Sequence, residues 1–177
     1  VSEEKYQVHA CEAEHSVPTF SFLFEEKEKP GTFYPEKANS LGIPKGELWH
    51  KLQQGEEVVI ENKSIKPSDV MGPNVPGKKI GISGDTRPTK KLEEFFKNCN
   101  YLVFDSTFSD ELKEKAVESC HSTAKEAATF AKNASVSNLI LTHFSARYKD
   151  ENVLLDEAKT VHDSVMAAKD QLKVEIE

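Results

Sequence analysis

The sequence predicts an α/β fold, and three short apolar runs make the case. Residues 79–83, 101–104 and 138–142 each read as a buried strand, and each gives way within two residues to an ionisable side chain: Asp85, Asp105 and His143. Between them lie stretches of helical period, so strands and helices alternate as they do in sheets whose faces are covered by helices. Ligand and metal sites of open α/β sheets collect at the carboxyl ends of strands. Three strands ending on ionisable groups are hard to credit to chance.

Taken in order, residues 5–11 and 18–24 alternate apolar and polar side chains and predict two strands. The turn between them, ACEAEHSVP, holds His15, which by itself reads as a solvated loop histidine. From residue 25 to 77 the texture changes to a segment rich in Gly, Pro and Lys. It contains helical stretches at 35–41 and 47–53, separated by GIPKG, and a strand at 57–61. So long an excursion between two sheet strands is unusual in a compact domain, and such insertions are often functional or mobile. Its aromatics Phe33, Tyr34 and Trp49 either stack on bases or sugars or staple a small core of the excursion's own.

The strand at 79–83 leaves through Gly84, which permits a tight exit, and Pro88 forbids its continuation. Alone, Asp85 reads as a cap for the helix expected at 89–98, whose Leu92, Phe95 and Phe96 share a face. The strand at 101–104 then ends on Asp105. Helices follow at 110–119 and 122–134, the second capped by Ser122 or Thr123 with Glu126 in capping-box register. After the strand at 138–142, an amphipathic helix is expected over 152–169, with Leu154, Ala158, Val161, Val165 and Ala168 inward, and a strand over 172–176. His162 falls on that helix, where a structural role fits; His9 and His50 have no partner at metal-ligand spacing.

At 177 residues the chain is long enough for one domain with its own core. No apolar run approaches the roughly 20 residues needed to cross a membrane, and the start VSEEKYQVHA carries neither the basic nor the apolar segment of a signal peptide. Cys11, Cys99 and Cys120 form neither an even framework nor a CxxC pair, which fits a reducing, cytoplasmic setting. The net charge of −7 argues against a surface that attracts nucleic acid everywhere. The balance is uneven, however: residues 27–91 hold twelve Lys and Arg against eight Asp and Glu. A polyanion would be gripped there.

Aspartate and histidine at strand ends suit a cation such as Zn²⁺ or Mn²⁺, with the aspartate able to bridge two ions. Two such residues, or three with His15, are fewer than two-metal hydrolysis needs.

The strings SGDTRP, CHSTAKEAA and LILTHFSARY, in this order, resemble the C-terminal motifs of ribonuclease Z, the tRNA 3′-processing endonuclease of the metallo-β-lactamase fold. The excursion GIPKGELWHKLQQGE, with the VMGPNVPGKK that follows, is similar to the family's flexible arm, which grips the tRNA body. The resemblance runs from about His15 to Tyr148. It implies an αββα sandwich, two metals (Zn²⁺, with Mn²⁺ or Mg²⁺ as alternatives), a precursor tRNA substrate and a cytoplasmic enzyme. Position by position, His15 resembles a metal-binding histidine, Asp85 the bridging aspartate and His143 the histidine completing the second metal's shell. His121 matches the catalytic histidine that helps protonate the leaving oxygen, and Arg147 the arginine near the scissile phosphate. Asp105 stands where the family commonly has a glutamate, in a string like HEATF that here reads FDSTF; it is counted with the catalytic residues, although its shorter side chain weighs against a role in orienting His121. In the arm, Lys37, Lys45, Trp49 and Lys51 are the expected tRNA contacts.

The family's HxHxDH motif, which supplies most of the metal ligands, has no match in this sequence. The chain therefore reads as the C-terminal half to two-thirds of the family's domain, a partial metallo-β-lactamase-type domain over 1–177 with the arm and its linkers inserted at 27–77. An exposed apolar sheet face would follow, to be covered by a missing N-terminal half or by a second copy in a homodimer. Two functions fit: a metal-dependent endoribonuclease incomplete in this chain, or a non-catalytic tRNA- or partner-binding fragment of the same fold.

Overall fold

The computed structural model describes residues 1–176. Among them, in chain order, are β1 (Tyr6–Glu12), β2 (Phe20–Glu26), α1 (Pro35–Ser40), α2 (Glu47–Gln53), β3 (Val58–Ile60), β4 (Lys63–Ile65), α3 (Pro67–Val70), β5 (Lys79–Ile82), α4 (Lys90–Phe95), β6 (Tyr101–Asp105), α5 (Lys113–Glu118), α6 (Ala124–Asn133), β7 (Asn138–Thr142), α7 (Asn152–Lys159) and β8 (Val165–Ala167). They fall into two compact units, one of Val1–Glu26 with Lys78–Glu177 and one of Lys27–Gly77.

The larger unit is built on a six-stranded sheet of order β1-β2-β5-β6-β7-β8. β1, β2 and β5 are antiparallel neighbours, and β5 to β8 run parallel. One face is dry: Leu102, Phe104, Leu139 and Leu141 are fully buried against Leu92, Phe96, Phe130 and Leu154 from the helical layer. β5 approaches that layer closely enough that a Cβ on Gly81 would come within 2.5 Å of the Phe96 ring and 2.7 Å of Leu102. The helices start where their caps dictate. Thr89 accepts from the Leu92 N–H at the head of α4, and Thr123 with Glu126 forms a capping box on α6.

The opposite face is also apolar. Strand register places Phe22 beside Ile82, Ile82 beside Val103, Val103 beside Ile140 and Ile140 beside Met166. Phe22 and Ile82 are nearly half exposed, at 47% and 49%.

The parallel strands β5, β6 and β7 deliver their carboxyl ends to one edge of the sheet. The β1–β2 hairpin reaches that edge too, because β2 is antiparallel to β5 and so begins where β5 ends. α6 precedes β7 and runs back along it, which brings its N-terminus to the same edge. Five loops therefore meet there.

The C-terminal region departs from expectation. The helix expected over 152–169 ends at Lys159, and Val165, assigned to its inner face, lies in β8 instead. Residues 172–176 form no strand. The apolar period carries through 161–168, but the far edge of β7 needs a partner, and the β-branched Val165 pairs there with Leu139. His162 makes the corner, not a helical turn: its Nε2–H donates to the Val136 carbonyl at 2.9 Å, and its Nδ1 accepts from the Ser164 N–H at 3.2 Å. The helix expected over 110–119 opens with a separate 3-10 turn, Asp110–Leu112, before α5.

In the smaller unit, α1, α2, the β3–β4 hairpin and α3 enclose Ala38, Ile43, Leu52, Val58, Ile65 and Val70. β4 and α3 lie where the sequence suggested no regular structure. β3 turns back through Glu61 and Asn62, both at positive φ (47° and 64°), the backbone that a two-residue hairpin turn requires. Phe33 and Trp49 pack against this core with ring centroids 5.1 Å apart, and the Trp49 indole N–H donates to the Ile43 carbonyl at 3.0 Å.

Candidate active site

Six of the residues singled out in the sequence converge at the carboxyl edge of the large sheet. β5 leaves through Gly84, at φ +62°, and presents Asp85. β6 ends on Asp105 and β7 is followed by His143. The hairpin loop supplies His15, the loop ahead of α6 supplies His121, and Arg147 lies four residues beyond His143.

Asp105 anchors the arrangement. It is fully buried, and a buried carboxylate is tolerable only when its lone pairs are used. Oδ2 accepts from the Thr86 N–H at 3.0 Å and from His121 Nδ1 at 2.8 Å; Oδ1 accepts from the Thr107 N–H at 3.1 Å and its hydroxyl at 2.7 Å. The shorter aspartate therefore does reach His121, because Asp105 closes β6 beside the loop that precedes α6. With Nδ1–H committed to Asp105, the unprotonated position of a neutral His121 ring is Nε2.

Thr107 carries the network onward. Its single hydroxyl proton points to Asp105, so at 2.8 Å from His143 Nδ1 it accepts the histidine's N–H. His143 Nε2 is left as a lone pair, 3.3 Å from Asp85 Oδ2. A lone pair facing a carboxylate at that distance is an arrangement that a shared cation satisfies. His15 is set the same way: its Nδ1–H donates to the Cys120 carbonyl at 2.9 Å, freeing Nε2. Metal-binding histidines typically have their second nitrogen fixed like this. His143 itself adopts φ +63° and Cys120 φ +57°, strained values for residues with a side chain.

The His121 ring is stacked on His143 and tilted against His15. His121 lies 4.8 Å from His143 at an interplanar angle of 18°, and 4.9 Å from His15. Donor atoms of His15, Asp85 and His121, and again of Asp105, His121 and His143, lie within 4.8 Å of one another. Of these, Asp105 already accepts from four donors, and neither group joins His15, Asp85 and His143 without His121, so it is the resemblance that makes those three the expected metal ligands. Their chemistry fits a borderline cation, but three side chains fall short of two complete shells. Arg147 is exposed at the rim, its guanidinium 5.1 Å from the Phe108 ring centroid and its Nε–H donating to Ser145 Oγ at 3.0 Å.

Sequence reading passed over Thr86, Arg87 and Thr107. Arg87 forms a two-pronged ion pair with Glu126, at 2.9 and 2.5 Å, and also donates to the His121 carbonyl. Burial works against the charged Glu126 carboxylate, yet the Arg87 guanidinium and the Thr123 N–H outweigh it and hold the pKa below its ordinary value. The signal was available in GDTRP, where a cation follows the presumed bridging aspartate by two residues.

The remaining candidates, Lys37, Lys45, Trp49 and Lys51, belong to the smaller unit. Lys37 and Lys45 are exposed. The Lys37 ammonium sits 4.5 Å from the Tyr34 ring centroid, and Lys51 pairs with Glu47 at 3.0 Å.

No protein-family model matches the chain. Over 174 residues it is 63% identical to a ribonuclease Z of Nitrosopumilus maritimus, covering 98% of this chain and 58% of that protein. It is 43% identical over 173 residues to a ribonuclease Z of Archaeoglobus fulgidus, covering 97% of this chain and 56% of the relative. Among solved structures, human tRNase Z, short form, superposes with TM-score 0.61 at 23% identity, covering 100% of this chain and 46% of that one. The metallo-β-lactamase fold protein YhfI from Bacillus subtilis gives TM-score 0.61 at 15% identity, covering 96% of this chain and 49% of the other. The chain thus resembles ribonuclease Z along nearly all its length, has part of the metallo-β-lactamase fold, and spans a little over half the length of the curated relatives it matches.

Proposed function

We propose that this chain carries the C-terminal part of a ribonuclease Z, a metal-dependent endoribonuclease that removes the 3′ trailer from precursor tRNA. The observation that carries the reading is the His121–Asp105 pair, held at 2.8 Å beside the unprotonated nitrogens of His15 and His143 and the carboxylate of Asp85.

His15, Asp85 and His143 would hold Zn²⁺, or Mn²⁺ or Mg²⁺ in its place; when bound, such ions supply an activated water and neutralise charge at the phosphate. The remaining ligands would come from a segment outside residues 1–177 or from a second copy of the chain, and the apolar sheet face bearing Phe22 and Ile82 supports either source. His121 in its protonated form gives its Nε2 proton to the leaving oxygen, while Asp105 holds Nδ1 and so fixes the direction of the ring. Arg147, permanently charged and forked, fits a role in binding the scissile phosphate. Residues 27–77 act as the tRNA-gripping arm through Lys37, Lys45 and Lys51, together with the partly exposed Trp49. Phosphate contacts of this kind make binding weaken steeply with salt. Among the described residues no helix is long and apolar enough to cross a bilayer. A precursor tRNA substrate would place the enzyme in the cytoplasm.

A second reading, a non-catalytic tRNA- or partner-binding fragment, draws on the incomplete donor set. One measurement separates the two: cleavage of a precursor tRNA by the complete protein with Zn²⁺ or Mn²⁺, beside its metal content. The enzyme reading expects metal to be retained and His121→Ala to depress kcat by about 10²–10⁴ with the metal still bound. Absence of stoichiometric metal together with retained tRNA binding would establish the second reading instead, and loss of metal in His121→Ala would make that histidine a ligand.

A further inference from the structure

We infer that Arg87 is a positioning residue for the reaction, acting through His121, which extends the ribonuclease Z reading above and rests on it. A histidine that transfers a proton must be fixed at two points, its ring and its backbone. Asp105 fixes the ring at Nδ1. The backbone is fixed by Arg87, whose terminal nitrogen donates to the His121 carbonyl while its guanidinium grips Glu126 with both prongs.

Glu126 is not a passive counter-ion. It is the third residue of α6 and accepts the Thr123 N–H in the capping box, so the fork couples the His121 carbonyl to the first turn of that helix. Arg87 and Glu126 side chains are only 12% and 14% exposed, and the ion pair is correspondingly little screened.

At its other end, Arg87 belongs to a two-residue hub. Its N–H donates to the Glu14 carbonyl at 2.9 Å, next to His15. Thr86 offers its N–H to Asp105, its hydroxyl oxygen to the Glu14 N–H at 3.1 Å, and its carbonyl to the Ser122 hydroxyl at 2.6 Å. Thr86 and Arg87 thus tie the loops of His15, Asp105 and His121 to the strand end that bears Asp85. Within this hub only the Arg87 side chain reaches past the His121 loop to the helix behind it.

Lysine cannot do the same. A single ammonium meets either Glu126 or the carbonyl, whereas the planar fork meets both. The loop in Arg87→Lys is charged and packed as before but loses one anchor, and a displacement of about 1 Å at a proton donor costs on the order of 100-fold in rate.

The test is a double-mutant cycle in the complete protein, following precursor tRNA cleavage for the parent, Arg87→Lys, His121→Ala and the double variant. The expected result is a kcat lower by about 100-fold in Arg87→Lys, with KM and metal content unchanged, and less than about 2-fold further loss when Arg87→Lys is added to His121→Ala. Equal losses in both backgrounds would show a general structural role and overturn the proposal, as would full activity of Arg87→Lys. If His121→Ala alone cleaved normally, the catalytic reading itself would fall, an outcome distinct from either of these.

Discussion

Asp105 and Thr107 together decide which nitrogen of two histidines carries a proton. Replacing Thr107 by valine keeps the volume but removes one donor from a buried carboxylate and the acceptor of His143 Nδ1–H. The expected cost is about 1–3 kcal/mol, read from chemical denaturation of the variant against the parent. Metal affinity should fall by about 10- to 100-fold, since the ring orientation of His143 is then unset. Glu126 gives a pH test. Its pKa is lowered in the folded state from 4.5, so its contribution is fully present above that pH and is lost as the pH falls through the folded value. The parent should therefore exceed Glu126→Gln in stability near neutrality, and acid titration of both should bring the curves together below 4.5. At this scale, ionisable groups at strand ends were legible in the sequence, and the resemblance ranked them. The links from Thr107 to His143 and from Arg87 to Glu126 were not: they span 36 and 39 positions, and hydrogen bonds at that separation leave no periodic trace, even though Arg87 itself stood in plain view in GDTRP.

Strands bounded by turn residues were read closely; β7 falls on residues 138–142, where its apolar run predicted it. The failure came at α7 and β8, where a helical period continued across a corner. Local patterning cannot see that β7 has an edge to satisfy, so Val161 and Val165 were given to one helix although His162 turns the chain between them. β4 was missed for a related reason, because Lys63-Ser64-Ile65 is too short and too polar to announce a strand without its hairpin partner. Packing between elements yields a prediction of its own at Gly81. A methyl group there meets Phe96 at 2.5 Å and Leu102 at 2.7 Å, and both are locked in the core. Gly81→Ala should destabilise the larger unit by about 1–3 kcal/mol through overpacking, measured as a shift in denaturation midpoint. A midpoint equal to the parent's would mean that β5 and α4 can move apart freely.

For the molecule as a whole, the sheet has one dry face and one apolar face that the described residues leave partly open. A six-stranded sheet with helices on one side is half of a four-layer sandwich, which accords with the part of the metallo-β-lactamase fold that the chain covers. That much followed from the absence of the HxHxDH motif. The smaller unit has its own core, so replacing the whole of it, Lys27–Gly77, by a short linker in the complete protein should leave the larger unit folded. If the arm grips tRNA as proposed, KM for precursor tRNA should rise by about tenfold or more with hydrolysis of a small phosphodiester unchanged. Steady-state kinetics on both substrates would decide it, and equal losses on the two would make the arm part of the catalytic fold. The way this unit is inserted bears on how the chain folds. Glu26 and Lys78 are joined by a backbone hydrogen bond of 2.9 Å, and within the inserted unit Lys29 and Val75 exchange two more, also of 2.9 Å. A flexible loop between β2 and β5 would tax their pairing by about 0.6 kcal/mol for each doubling of its length. An insert that clasps its own ends presents the growing sheet with a short, closed connection, so the entropy of the excursion is spent inside the insert and the β2–β5 pairing can nucleate almost as a local event.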